Sequence, residues 1–158
     1  MAGVKPDVRV QREDFDLAAE IAAISNGRAD IGAVVTFTGL CRDEGGALEA
    51  LELEHYPGMA EAQITKIAHE AITRWPVQAI TAIHRVGKVA PGGNIVLVIA
   101  ASPHREAAFS AASFLMDYLK TGAPFWKKEH LKDGTSGEWV EAKDKDDAAL
   151  EKWRRVQP

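Results

Sequence analysis

Cysteine is nearly missing from this chain: one residue, Cys41, in 158. One thiol makes no internal disulfide, so nothing in the sequence demands an oxidising compartment. Long apolar runs are missing too. The longest, Ile95–Ala101, is far too short to span a bilayer. The N-terminal MAGVKPDVRV has no apolar signal core, and a cytoplasmic location is expected. Excess positive charge is lacking: 19 Lys and Arg against 23 Asp and Glu leave a net charge of −4. That argues against general affinity for nucleic acid or membrane surfaces. No glycine-rich phosphate loop follows a strand, and no nucleophile elbow occurs. No CxxC, HExxH or carboxylate cluster suggests a metal, and no cofactor is expected. Internal repeats and low-complexity tracts are also missing. Chemistry on this chain must therefore use Lys, Arg and His, with the reactive group brought by a partner.

What is present fits one domain over residues 1–158, with a core at about 30–143 and a charged tail at 144–158. Hydrophobic content of 46% and charged content of 27% are ordinary for a globular protein of this length. The elements read as α+β. Val8–Val10 suits a short strand. Asp14 or Asp16 can cap a helix over Leu17–Ile24 with Leu17, Ile21 and Ile24 on one stripe. Ile31–Thr38 is β-branched and reads as a buried strand. Leu48–Tyr56 alternates and reads as a half-buried strand antiparallel to it. Ala60–Trp75 is the clearest helix, stopped by Pro76. His69 lies beside its apolar face and reads as surface. Ile80–Val86 is a strand whose His84 reads as a satisfied structural histidine, with Arg85 on the opposite side. Pro91–Asn94 is a turn, and Ile95–Ala101, apolar on both faces, reads as a central strand.

Ser102-Pro103-His104-Arg105 has the pattern of a helix start, with Ser102 as N-cap and Pro103 at the first position. His104 and Arg105 then lie where backbone N–H groups and the helix dipole attract anions. Arginine is slightly unfavourable there, and an anion would explain it. Ala108, Ala111, Ala112, Leu115 and Leu119 give the packing stripe.

The helix ends in Met116–Glu129, MDYLKTGAPFWKKE. Gly122 can close it in the left-handed conformation, and Pro124 cannot continue it. Lys120 falls in the last helical turn and Lys127 just past the proline. The turn folds one towards the other. Two ammonium groups held close should each lose a proton more easily than an isolated lysine, which suits an anion site or acid/base work. The ordinary readings are a dipole-stabilising lysine and a solvated strand pair. Phe125–Leu131 should be a strand, turned at Lys132-Asp133-Gly134 onto Glu138–Ala142. Alternation puts Phe125, Lys127 and Glu129 on one face and Trp126, Lys128 and His130 on the other. Lys127 is thus expected inside a pocket and Lys128 at its rim. In the charged tail one short helix is possible, and Trp153 is a candidate to dock.

These motifs together resemble the large, catalytic subunit of molybdopterin synthase. MDYLKTGAPFWKKE is similar to that family's signature. VVTFTG (Val34–Gly39) followed by Arg42, LELEHYPGM (Leu51–Met59), RWP (Arg74–Pro76), IHRVG (Ile83–Gly87), His104-Arg105 and EWVEA (Glu138–Ala142) follow in its order and spacing. The resemblance implies an α/β-hammerhead type of fold: a mostly antiparallel sheet with packed helices and a β-rich part near the C-terminus. It implies a sulfurtransferase that needs no cysteine of its own. A ubiquitin-like small subunit would carry a C-terminal Gly-Gly thiocarboxylate. Two sulfurs would pass to cyclic pyranopterin monophosphate, forming the dithiolene of molybdopterin. The implied assembly is a homodimer of this chain within a heterotetramer.

By the same resemblance, Lys120 and Lys127 are the catalytic residues. Arg42, His104 and Arg105 would bind the substrate phosphate, for which arginine's planar fork is well suited. Leu40, Cys41, Lys128 and Glu129 complete the implied substrate-binding set together with the two lysines. Leu40 and Cys41 depart from the family's commoner basic-then-aliphatic pair, which leaves backbone contact as their contribution. Cys41 beside Arg42 invites a nucleophile reading, but a lone cysteine is more often a small hydrophobe. Two other readings stand beside the enzyme. One is a non-catalytic dimeric adaptor that captures a ubiquitin-like tail. The other is an unrelated enzyme for a phosphate-bearing ligand.

Overall fold

The structure is a computed structural model that describes residues 3–121, 124–141 and Trp153. Ten elements follow in order: β1 (Asp7–Gln11), α1 (Leu17–Ser25), β2 (Ala33–Leu40), β3 (Leu48–His55), α2 (Met59–Arg74), β4 (Ala79–Arg85), β5 (Gly87–Val89), β6 (Asn94–Ser102), α3 (Arg105–Thr121) and β7 (Phe125–Leu131). They form two sheets. The first has the order β1-β4-β6-β2 and the second β5-β3-β7. All pairings are antiparallel except β1 with β4. The α+β architecture follows from the sequence pattern.

β6 lies inside the first sheet, and its two faces explain its unbroken apolar run. Val96, Val98 and Ala100 join a core with Ile67, Ala71, Ala111 and Leu115 of α2 and α3. Leu97 and Ile99 pack on the other side with Phe15 and the Leu17, Ile21, Ile24 stripe of α1. Asp16 caps α1, its side chain accepting from the Ala19 N–H at 3.2 Å. The stop at Pro76 holds: Trp75 is already extended, with φ −132° and ψ 149°. Trp153 does dock. Its ring meets Trp75 and Phe114 edge-on at 5.6 Å from each, and its Nε1 donates to Asp117. The short tail helix considered above lies outside the described residues.

Several expectations need correction. Residues 31–38 do not form a buried strand. β2 is an edge strand with Thr36 and Phe37 exposed, because β-branched content marks a strand without saying how many neighbours it has. β2 and β3 do not pair. The chain leaves β2 through Cys41, whose N–H donates to Gly93 O at 2.8 Å and whose carbonyl accepts from Gly92 N–H at 2.7 Å. That anchor sends the following loop to the second sheet, where β3 sits between β5 and β7. The second sheet is therefore built from the middle of the chain as well as its later part.

α3 begins at Arg105, and Ser102 is not its cap. Ser102 ends β6, and its hydroxyl donates to the carbonyl of His104. No strand spans 138–141 among the described residues. Isolated bridges at Lys127–Val140 and His130–Ser136 stand where a paired strand was expected, and Ala142 lies outside the described residues. β7 spends its other edge on β3. Among the described residues no helix is long and apolar enough to cross a membrane.

Candidate active site

The two sheets and the end of α3 enclose a cleft of about 650 Å³. Each wall follows from a local rule. The last turn of α3 contributes Met116, Leu119 and Lys120. Thr121 tightens that turn, its hydroxyl donating to Asp117 O at 3.0 Å. The expected closing glycine, Gly122, lies outside the described residues. The end of β2 contributes Phe37 and Gly39 through Arg42. Gly39 must lack a side chain: a Cβ there would sit 2.6 Å from Val96 Cγ1. β7 presents Phe125, Lys127 and Glu129, alternate residues of one face, as the twofold strand period requires.

The other face of β7 fastens a strap. Trp126 Nε1 donates to Glu141 Oε1 at 2.8 Å, and Lys128 Nζ lies 5.5 Å from the ring centre of Trp139. His130 bridges Ser136 Oγ at 3.1 Å and Glu52 Oε1 at 2.7 Å. The strap brings Gly137, Glu138, Val140 and Glu141 to the cleft. Arg42, Lys120 and Lys127 thus share the cleft with Glu129, Glu138 and Glu141. Such a site can hold an anionic ligand that also carries hydrogen-bond donors.

Of the residues singled out from sequence, Leu40, Cys41, Arg42, Lys120, Lys127 and Glu129 line this cleft. Lys128 faces away, as the alternation predicts. His104 and Arg105 do not line it. Arg105 opens the helix whose last turn holds Lys120, so 15 residues, or roughly 22 Å of helix, separate them. Both are exposed. Arg42 is exposed and ion-paired with Glu44 across the loop. In water such a pair is worth little, so it holds the guanidinium only loosely.

Cys41 is 3% exposed. Burial pushes its thiol up, with Asp43 and Glu129 adding to the rise. A thiol held protonated is no nucleophile. Its N–H and carbonyl are both engaged with the β6 turn, so the backbone contact expected of it has no open N–H to offer.

His84 was missed as a site residue. It lines the cleft, yet is only 6% exposed. Its ring stacks on Phe125 with centroids 3.8 Å apart and planes at 10°. Burial pushes its pKa down to about 4, and the neighbouring Lys127 and His55 act in the same direction. Glu138 and Glu141 were also missed as cleft residues, because only the strap brings them in. Among the described residues no group of three or more His, Cys, Asp or Glu is arranged to hold a metal ion.

Comparison with known proteins adds four findings. A family model described as "MoaE protein" matches residues 10–122. The molybdopterin synthase catalytic subunit of Mesorhizobium japonicum is 68% identical over 153 residues, covering 97% of this chain and 96% of that protein. The solved molybdopterin biosynthesis MoaE protein from Burkholderia ambifaria superposes with a TM-score of 0.81 at 48% identity, covering 94% of this chain and 98% of that one. The crystal structure of molybdopterin synthase from Staphylococcus aureus gives 0.74 at 32% identity, over 83% and 94%.

Proposed function

This chain belongs to the MoaE protein family, and from that premise we propose that it is the catalytic subunit of a molybdopterin synthase. It is a sulfurtransferase of molybdenum cofactor biosynthesis, acting in the cytoplasm as one catalytic domain. Its partner is a ubiquitin-like small subunit whose C-terminal Gly-Gly thiocarboxylate supplies sulfur. Its substrate is cyclic pyranopterin monophosphate.

The observation that carries this reading is the meeting of Lys120 and Lys127, from α3 and β7, with Arg42 in one cleft. Both reactants are anions, and this cleft offers three cations. Arg42 takes the phosphate through its planar fork. The two lysines flank the reacting carbons and the thiocarboxylate. One offsets developing negative charge, and the other moves protons as the phosphate ring opens and water leaves. Cys41, buried and protonated, takes no part.

His104 and Arg105 reach a cleft only in a second copy of the chain. β2 is an edge strand with Phe37 40% exposed, which suits pairing with another β2. Antiparallel pairing about a twofold axis sets the start of one β2 beside the end of the other. The residue before β2 is tied to the segment that leads into α3, since Gly32 N–H donates to Ser102 O at 3.1 Å. The end of β2 leads to Arg42. Each cleft would then receive His104 and Arg105 from its neighbour.

The test is a reconstitution. The purified chain is mixed with thiocarboxylated small subunit and cyclic pyranopterin monophosphate, and the oxidised dithiolene pterin is detected. Product that requires all three components is expected. Binding of the small subunit without product would favour the adaptor, and product formed without any thiocarboxylated partner would favour another phosphate-ligand enzyme.

A further inference from the structure

We propose that His84 is a further substrate-contacting residue: its Nε2 is a fixed, uncharged hydrogen-bond acceptor in the cleft that takes an N–H or O–H of the heterocyclic substrate. The proposal rests on the cleft being the substrate site. It adds a residue that the cationic reading does not use.

The ring's state follows from its partners. His84 Nδ1 lies 2.8 Å from the backbone carbonyl of Arg85. A carbonyl only accepts, so Nδ1 carries the proton and Nε2 bears the lone pair. Nε2 has no hydrogen-bond partner among the described residues. It is not sealed in the core either: the one buried side-chain N or O atom left without a partner among the described residues is Gln78 Oε1. A lone pair that is neither bonded nor sealed, on a residue that lines the cleft, is presented to whatever the cleft holds.

The ring is also immobilised. Phe125 covers one face at 3.8 Å, and His55 backs Phe125 at 6.2 Å. Tilting the imidazole would break the stack and flipping it would break the Arg85 bond, so the acceptor direction is set before substrate arrives. Its charge is fixed as well. Lys127 of β7 and His55 of β3 both disfavour a proton on it, and burial disfavours one more strongly. His55 in turn lies 3.9 Å from Glu61 of α2. The imidazole stays neutral through the physiological range.

Among the described side chains that line the cleft, no other nitrogen or oxygen is a neutral acceptor. Its lysines and arginine only donate. Glu129, Glu138 and Glu141 accept, but as anions they repel a phosphate. A neutral acceptor can meet the N–H and O–H groups of a pterin without opposing the phosphate bound beside it.

The test uses the reconstituted enzyme with His84→Phe and His84→Gln. Phenylalanine keeps a flat ring on Phe125 and deletes the acceptor, and glutamine offers an amide oxygen. We expect His84→Phe to raise KM for cyclic pyranopterin monophosphate about tenfold, the value of one lost hydrogen bond. Affinity for the small subunit should be unchanged, and His84→Gln should recover most of the loss. The ratio of wild-type to His84→Phe activity should stay level from pH 8 to about pH 5. In wild-type protein labelled with ¹⁵N-histidine, substrate should shift the Nε2 resonance of His84 and leave Nδ1 in place, a readout that needs no variant to fold. An unchanged KM in His84→Phe, equal losses in both folded variants, a ratio that titrates near pH 6.5, or an unmoved Nε2 resonance each overturn the proposal. A wild-type reconstitution without product would instead overturn the reading of the cleft itself.

Discussion

The imidazole of His84 lies flat on the phenyl ring of Phe125, centroids 3.8 Å apart, and so couples the first sheet to the strand that carries Lys127. The stack has a consequence for stability. In the folded chain His84 resists protonation down to about pH 4, against 6.5 for an ordinary imidazole. Between those values the unfolded chain binds a proton that the folded chain does not. Stability from this group is therefore full above about pH 6.5 and is lost as pH falls towards 4. The loss is about 3 kcal/mol at most. Denaturant melts of wild type and His84→Gln at pH 7, 5.5 and 4.5 should show a steeper acid loss in wild type. Parallel losses would mean that His84 is not buried neutral.

Cys41→Ser should leave dithiolene formation nearly unchanged while lowering stability by about 1 kcal/mol, since a hydroxyl replaces a buried thiol. Rates and denaturant midpoints measured side by side check this. A large loss of rate in a folded Cys41→Ser protein would restore the thiol to the mechanism.

A cleft shared between copies makes a different kind of prediction. Arg105→Ala and Lys127→Ala chains should each be nearly inactive alone. Unfolded, mixed and refolded together, they form mixed dimers in which one of two clefts is intact. Half the dimers are mixed, so about a quarter of wild-type activity should return. An active Arg105→Ala chain would place Arg105 outside the site, and no recovery on mixing two inactive chains would place it inside its own chain's cleft.

The local features of the fold were legible because local rules determine them. Phe125–Leu131 is a strand with the bounds read from sequence, and its alternation put Lys127 in the cleft and Lys128 outside. Lys120 sits in the last turn of its helix, which runs to Thr121. What was not legible depends on pairing between distant segments. Nothing in Ile31–Thr38 says that one of its edges is open, and nothing in Leu48–Tyr56 says that β5 and β7, not β2, are its neighbours. Ser102 has the chemistry of a cap, but β6 runs one residue further than its apolar stretch and consumes it. His84 read as structural because a histidine among Ile80, Ala82 and Ile83 usually is. Its place in the cleft comes from Phe125, forty-one residues later in the chain. The separation of His104 and Arg105 from Lys120 could have been anticipated, since helix length alone forbids their meeting within one chain.

The central claim is that Lys120 and Lys127 act on the reacting centre from opposite walls of one cleft. The rate of dithiolene formation in the three-component reconstitution, wild type against Lys120→Ala and Lys127→Ala, tests it most directly. Each substitution should lower the rate by about 100-fold or more, the usual cost of removing one group that stabilises charge in a transition state, with folding and small-subunit binding retained. A variant that turns over at the wild-type rate would contradict the role assigned to that lysine, and if both do, the cleft is not where sulfur is transferred.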